Sequence, residues 1–188
     1  MRPSILLAVA LATLSAQDKK IDVERSTITI HVGKAGLLSA LGHDHWINAP
    51  ISSGSFNDSP DALRVEFRVE TAKMKVKPDP KVDSKTEATI QKDMEEMTLE
   101  ISKYPEITFQ STHVGKLGEG QWKVEGTLAL HGVSKPVTVT VKRASDSYIG
   151  RVILKQTDFD IKPITVGGGS IKVKNEIEIE FQIFGQPA

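Results

Sequence analysis

The residues best suited to coordination chemistry in this chain are the run His43-Asp44-His45. On a strand, positions i and i+2 share a face about 6.6 Å apart, so two imidazoles so placed can converge on one ion or one anionic group. Asp44 then points the other way, unless the chain turns at Gly42. A zinc ion would still need a third or fourth ligand. His113 shares inward parity with Ile107 and Phe109 and is the best remote candidate, whereas His31 and His131 have outward parity. Three roles stay open for His43 and His45: a metal site, contact with the polar end of a ligand, or hydrogen bonding to loop carbonyls.

Other catalytic arrangements are missing. The chain has no cysteine, hence no thiol nucleophile and no disulfide. No Gly-x-Ser-x-Gly elbow, HExxH pair or dinucleotide-binding fingerprint occurs. Gly167-Gly168-Gly169 lacks the Gly-Lys-Ser/Thr that a phosphate loop requires. Asp158 and Asp160 read as turn residues at a strand end rather than as a working carboxylate pair. With 24 basic and 24 acidic residues, the chain has no basic excess for a nucleic acid. A binding protein is expected, not an enzyme, with a structural or stress-related interaction protein that uses its outer face as an alternative.

The N-terminus reads as a secretory signal peptide over residues 1–16: Arg2, an apolar run from Ile5 to Leu14, then the small residues Ser15 and Ala16. The run falls short of the ~20 apolar residues of a spanning helix. The expected product is one domain over residues 17–188, periplasmic or secreted, with no membrane span. Homo-oligomers are compatible with it.

The frame that must position the candidate residues is a set of strands. Ile28, Ile30 and Val32 alternate with Thr27, Thr29 and His31. Leu63, Val65, Phe67 and Val69 alternate with charged neighbours, as do Ile107 and Phe109 with polar ones. Trp122, Val124, Leu128 and Leu130 share a face, as do Val137, Val139 and Val141. Ile171 to Ile183 is the longest run. A period of two gives one dry and one wet face per strand. Two less regular strands, near Trp46–Phe56 (broken at Pro50 and Gly54) and Tyr148–Thr157, bring the count to about eight. A wet face along every strand argues against a parallel sheet. Eight antiparallel strands can close and lose their edges.

One amphipathic helix interrupts the strands, from about Ser84 to Ser102, with Ile90, Met94, Met97 and Ile101 on one face. Ser84 and Glu87 fit a capping box, and Pro105 follows the end. The two methionines suit either core packing or a pliable ligand contact. Gly115–Gly120 is expected to form a hairpin turn.

Three stretches carry a family resemblance, one of them the layout of the opening strand, a Gly-containing turn and a strand ending near Gly54 and Phe56. Leu128-Ala129-Leu130-His131-Gly132-Val133-Ser134-Lys135-Pro136-Val137 resembles the hairpin of YceI-like domains, and Tyr104-Pro105-Glu106-Ile107-Thr108-Phe109 with Ser111 resembles their helix-to-strand junction. The run His43-Asp44-His45 departs from the usual pattern and resembles a His-Asp-His sub-branch. The resemblance implies an all-β, eight-stranded antiparallel lipocalin-like β-barrel with one helix. It also implies a polyisoprenoid, or a fatty-acid-like lipid, held inside.

The inward residues expected to touch such a ligand are Ile30, Phe67, Phe109, Trp122, Val124, Leu128, Val152 and Phe181, with His43 and His45 as candidates for its polar end. Gly126 and Gly150, also at inward parity, either leave room for the ligand or allow a bend.

Overall fold

The computed structural model describes residues 18–36, 43–60, 62–166 and 171–186. The expected signal peptide, Gly42 and the three-glycine loop lie outside them. The described strands are β1 (Lys19–Lys20), β2 (Thr27–Ala35), β3 (His45–Asn48), β4 (Ile51–Asn57), β5 (Arg64–Glu70) and β6 (Lys75–Val76). After helix α1 (Ser84–Asp93) come β7 (Glu106–Gly118), β8 (Gln121–Leu130), β9 (Val133–Ala144), β10 (Ser147–Lys155), β11 (Thr165–Val166) and β12 (Ile171–Phe184).

Every pairing is antiparallel, and the long strands follow one another as β4-β5-β7-β8-β9-β10-β12-β2-β3. The ring closes because β3 and β4 are halves of one stave bent at Ala49-Pro50. The first half pairs with β2 and the second with β5. Proline has no N–H for a ladder, so the change of partner falls where a bond is missing anyway. Counting β3 and β4 as one stave and leaving aside the two-residue strands β1, β6 and β11, the described barrel has the expected eight. Just before β2, Ile21 donates to the Gly54 carbonyl at 2.9 Å and Asp22 to that of Phe184 at 2.8 Å, stapling β4 to the end of β12.

Several local expectations change. The helix is capped by Asp83, which accepts from the N–H groups of Lys85 and Thr86, while Glu87 accepts instead from the Asp79 N–H. Regular α-helix ends at Asp93, and Met94–Thr98 forms a wider π turn in which the Leu99 N–H reaches the Met94 carbonyl. The extra residue per turn rotates the dry stripe. Met94 and Leu99 are buried, and Met97, expected on that stripe, is 66% exposed. Strand β7 runs on to Gly118, so the hairpin turn is only Glu119-Gly120.

Candidate functional site

The inward faces of the staves enclose an apolar cavity of about 240 Å³. All eight wall residues expected from the sequence, from Ile30 to Phe181, line it. Period-two alternation placed them there, and pairs such as Phe67↔Phe109 and Val152↔Ile179 hold them level. The Phe67 and Phe109 rings stack at 5.5 Å.

Gly126 and Gly150 do not leave room for a ligand, although Gly126 sits where the β7 bulge falls, opposite Ser111. A Cβ at Gly150 would fall 2.3 Å from the Phe181 ring, and one at Gly126 would fall 2.4 Å from that of Phe109. Each glycine is the seat of an aromatic ring across the sheet, so the space it leaves is filled by the protein itself.

The cavity's two ends differ. At one, Met74, Met94, Leu99 and Ile161 form a floor, all at most 7% exposed. The helix and π turn supply Met94 and Leu99, and the 3-10 turn Gln156–Phe159 leads into Ile161. Both family-like motifs meet near this end. The Tyr104 ring lies 4.3 Å from that of His131, and a Cβ on Gly132 would meet Tyr104 at 2.6 Å. Gly132 has φ +76°, a left-handed conformation that glycine adopts without strain. His131, expected to face outward, is 8% exposed because it sits in the turn rather than on the strand. Its Nδ1 faces the Phe159 carbonyl at 3.2 Å, which can only accept, so the proton is assigned to Nδ1. Its Nε2 lies 3.4 Å from Glu100 but is not aligned for a hydrogen bond.

The other end is a polar mouth. Asn57, Asp58, Arg64 and Tyr148 line the cavity there, and the Asp58 and Arg64 side chains remain 25% and 55% exposed. Asp58 accepts from Lys19 and from the Tyr148 hydroxyl, each at 2.8 Å. Asp18 accepts from Arg64 at 2.8 Å and from Asn57 at 3.2 Å. Burial pushes the Asp58 carboxyl up, but Lys19 and Tyr148 outweigh it and hold it below the ordinary carboxylate value. Burial, then the bond to Asp58, pushes the Tyr148 hydroxyl up to about 12. Alternation puts Tyr148 on one face with Val152 and Leu154, but sequence reasoning missed the mouth because Asn57, Asp58 and Arg64 come from a loop and strand ends, where alternation carries no signal.

The histidine candidates lie elsewhere. His43 and His45 are not on the cavity lining. His43 Nδ1 is 3.6 Å from Asp79. Burial, and next the neighbouring charge of His43, lowers the pKa of His45. Asp44 points outward as expected, accepting from the Lys34 N–H at 3.0 Å and lying 3.3 Å from His31. His31 in turn stacks on Trp46 at 4.7 Å. His113 does not have inward parity: a bulge between Ser111 and His113 flips the strand, so Val114 lines the cavity and His113 is exposed. Among the described residues no three His, Asp or Glu side chains gather as a metal would require.

A closed antiparallel barrel around an apolar cavity, with one polar mouth, is an architecture with room for a small ligand. The chain belongs to the YceI-like family, whose domain model matches residues 20–184. It is 38% identical over 92 residues to a UPF0312 protein of Vibrio parahaemolyticus, covering 44% of this chain and 47% of that one. The chain thus spans about half the length of the first curated relatives it matches. A UPF0312 protein of Shewanella oneidensis is 26% identical over 179 residues, covering 89% of this chain and 88% of that one. In fold it resembles a polyisoprenoid binding domain from Saccharophagus degradans implicated in plant cell wall breakdown, with TM-score 0.60 and 13% identity over 90% of this chain and 98% of that one. No helix among the described residues is long and apolar enough to cross a membrane.

Proposed function

We propose that this is an exported binding protein that carries an apolar, chain-like lipid, a polyisoprenoid or a fatty-acid-like molecule, inside its barrel, and that it acts by binding rather than by catalysis. The observation that carries this reading is the shape and lining of the cavity. It extends from the Asp58–Tyr148 mouth to the Met94–Leu99 floor and is apolar between them. Its volume of about 240 Å³ lies just below the ~300–1,000 Å³ of ordinary small-molecule pockets. An apolar lining that runs from floor to mouth suits a chain with one polar end. Each buried CH₂ contributes roughly 0.8 kcal/mol, so a chain can be retained without strong polar contacts.

The test is mass spectrometry of organic extracts from the protein purified with its N-terminal segment, beside a Val152→Trp variant. Val152 lines the cavity wall. The expected result is a long-chain lipid in the native protein, depleted in a variant that still folds, and a mature N-terminus near residue 17. A folded native protein with no lipid that also takes up none when offered would defeat the reading.

A further inference from the structure

We propose that the Asp58–Tyr148 mouth takes the polar end of the ligand and selects an uncharged hydrogen-bonding group, such as a hydroxyl, amide or carbonyl, over a carboxylate or phosphate. This rests on the reading of the barrel as a lipid carrier and adds what the lipid's head must be. The direction of entry follows from the ends. The floor residues are at most 7% exposed, whereas Asp58 and Arg64 reach from the cavity into water. A chain that enters tail first leaves its head between Asp58, Arg64, Asn57 and Tyr148.

The charges there are already matched. Among the described residues the cavity lining holds one carboxylate, Asp58, paired with Lys19 at 2.8 Å, and one guanidinium, Arg64, paired with Asp18 at 2.8 Å. An anionic head in this position would lie against Asp58 and would have to compete with Asp18 for Arg64. It would also lose hydration as it entered, a cost that only an unmatched cation could offset. A hydroxyl or amide meets no such penalty, because it can donate to the Asp58 carboxylate and accept from the Arg64 guanidinium. Of the other cations around this end, Arg143 and Lys116 stand outside the lining and are exposed. There their attraction for an anion is screened by water and salt.

The experiment uses matched probes of one chain length: hexadecanol, hexadecanamide and palmitate, then geranylgeraniol against its diphosphate, each offered to delipidated protein. The alcohols and the amide should be retained at least about tenfold better than the acid or the diphosphate, the equivalent of ~1.4 kcal/mol. Two substitutions move the charge in opposite directions. Asp58→Asn should shift the acid-to-alcohol ratio toward the acid, and Lys19→Gln should shift it further toward the alcohol. The ratio is read on folded protein, so a general loss of affinity does not imitate the effect. Equal or better retention of the anionic probes overturns the proposal, as does a ratio that stays put in both variants. So does an acid preference that Arg143→Gln abolishes, which would place an anion site on the rim. Failure of every probe to bind would instead overturn the carrier reading itself.

Discussion

At the floor of the barrel, Met74, Met94, Leu99 and Ile161 are between 1% and 7% exposed, while at the mouth Asp58 and Arg64 keep 25% and 55% of their side chains in water. The family-like motifs lie near the floor. Tyr104 covers Gly132 and His131, and Thr71 donates to the Tyr104 carbonyl at 3.0 Å, so helix junction and hairpin are fastened together. These motifs therefore report how the barrel is closed. The mouth has no comparable motif and holds the groups a ligand's polar end would meet. Substitutions near the floor should act on stability, and those at the mouth on selectivity.

The largest effect is expected at Gly132. A valine there must adopt φ +76° and would collide with Tyr104. Left-handed backbone and overpacking together should cost roughly 2–5 kcal/mol in urea denaturation. Gly120 is the control: φ is +62°, but the nearest atom to an added Cβ is 3.6 Å away. Gly120→Ala should cost only about 1–2 kcal/mol, the backbone part alone. Equal losses at the two glycines would show that Tyr104 does not fasten the hairpin.

Leu99→Ala comes next. It removes a floor side chain that is 7% exposed and should cost about 2–4 kcal/mol. Leu63, which lines the mouth and is only half-buried, should lose about 1 kcal/mol on the same change. Similar losses would erase the distinction between a packed floor and an open mouth.

A smaller effect tests the mouth from the alkaline side. The folded-state pKa of Tyr148 is raised to about 12. Its stabilising effect is complete below the unfolded value of ~10 and is lost as pH rises through the folded value. The phenolate absorbance step missing from Tyr148→Phe should thus fall near pH 12, and this variant should lose less stability than native protein over that window. At neutral pH it should cost about 1 kcal/mol for the bond to Asp58. A step near pH 10 would mean that the hydroxyl is not held across the mouth.

What the sequence revealed divides along the same line. Regular alternation placed Phe67, Phe109, Trp122, Val152 and Phe181 on one wall, because strict period two survives wherever the ladder is unbroken. One bulge sufficed to send His113 outward, and one π turn to bring Met97 into solvent. Each adds a residue to the count without leaving a mark in composition. Asp58 and Tyr148 are 90 positions apart, and nothing local links them. Gly150 looked like space for a ligand until the Phe181 ring was found in that space.

The smallest effect is expected at His43 and His45, which line neither the floor nor the mouth. Both lie off the cavity lining, so a His43→Ala, His45→Ala double variant should retain lipid as the native protein does. The partly exposed approach of His43 to Asp79 at 3.6 Å should contribute less than about 1 kcal/mol. The pKa of His45 is lowered, by burial first and by the His43 charge second. Its unfolded form therefore binds a proton first as pH falls, and native stability decreases from about pH 6.5 downward through the folded value. Removing both imidazoles should flatten that acid-side decline while leaving stability at pH 8 nearly unchanged. Unfolding curves from pH 8 to 5, with elemental analysis and extracted lipid on the same samples, decide the matter. A loss of bound metal in the variant would restore the metal role. A loss of lipid would move the polar end of the ligand away from Asp58 and Tyr148 and toward this pair.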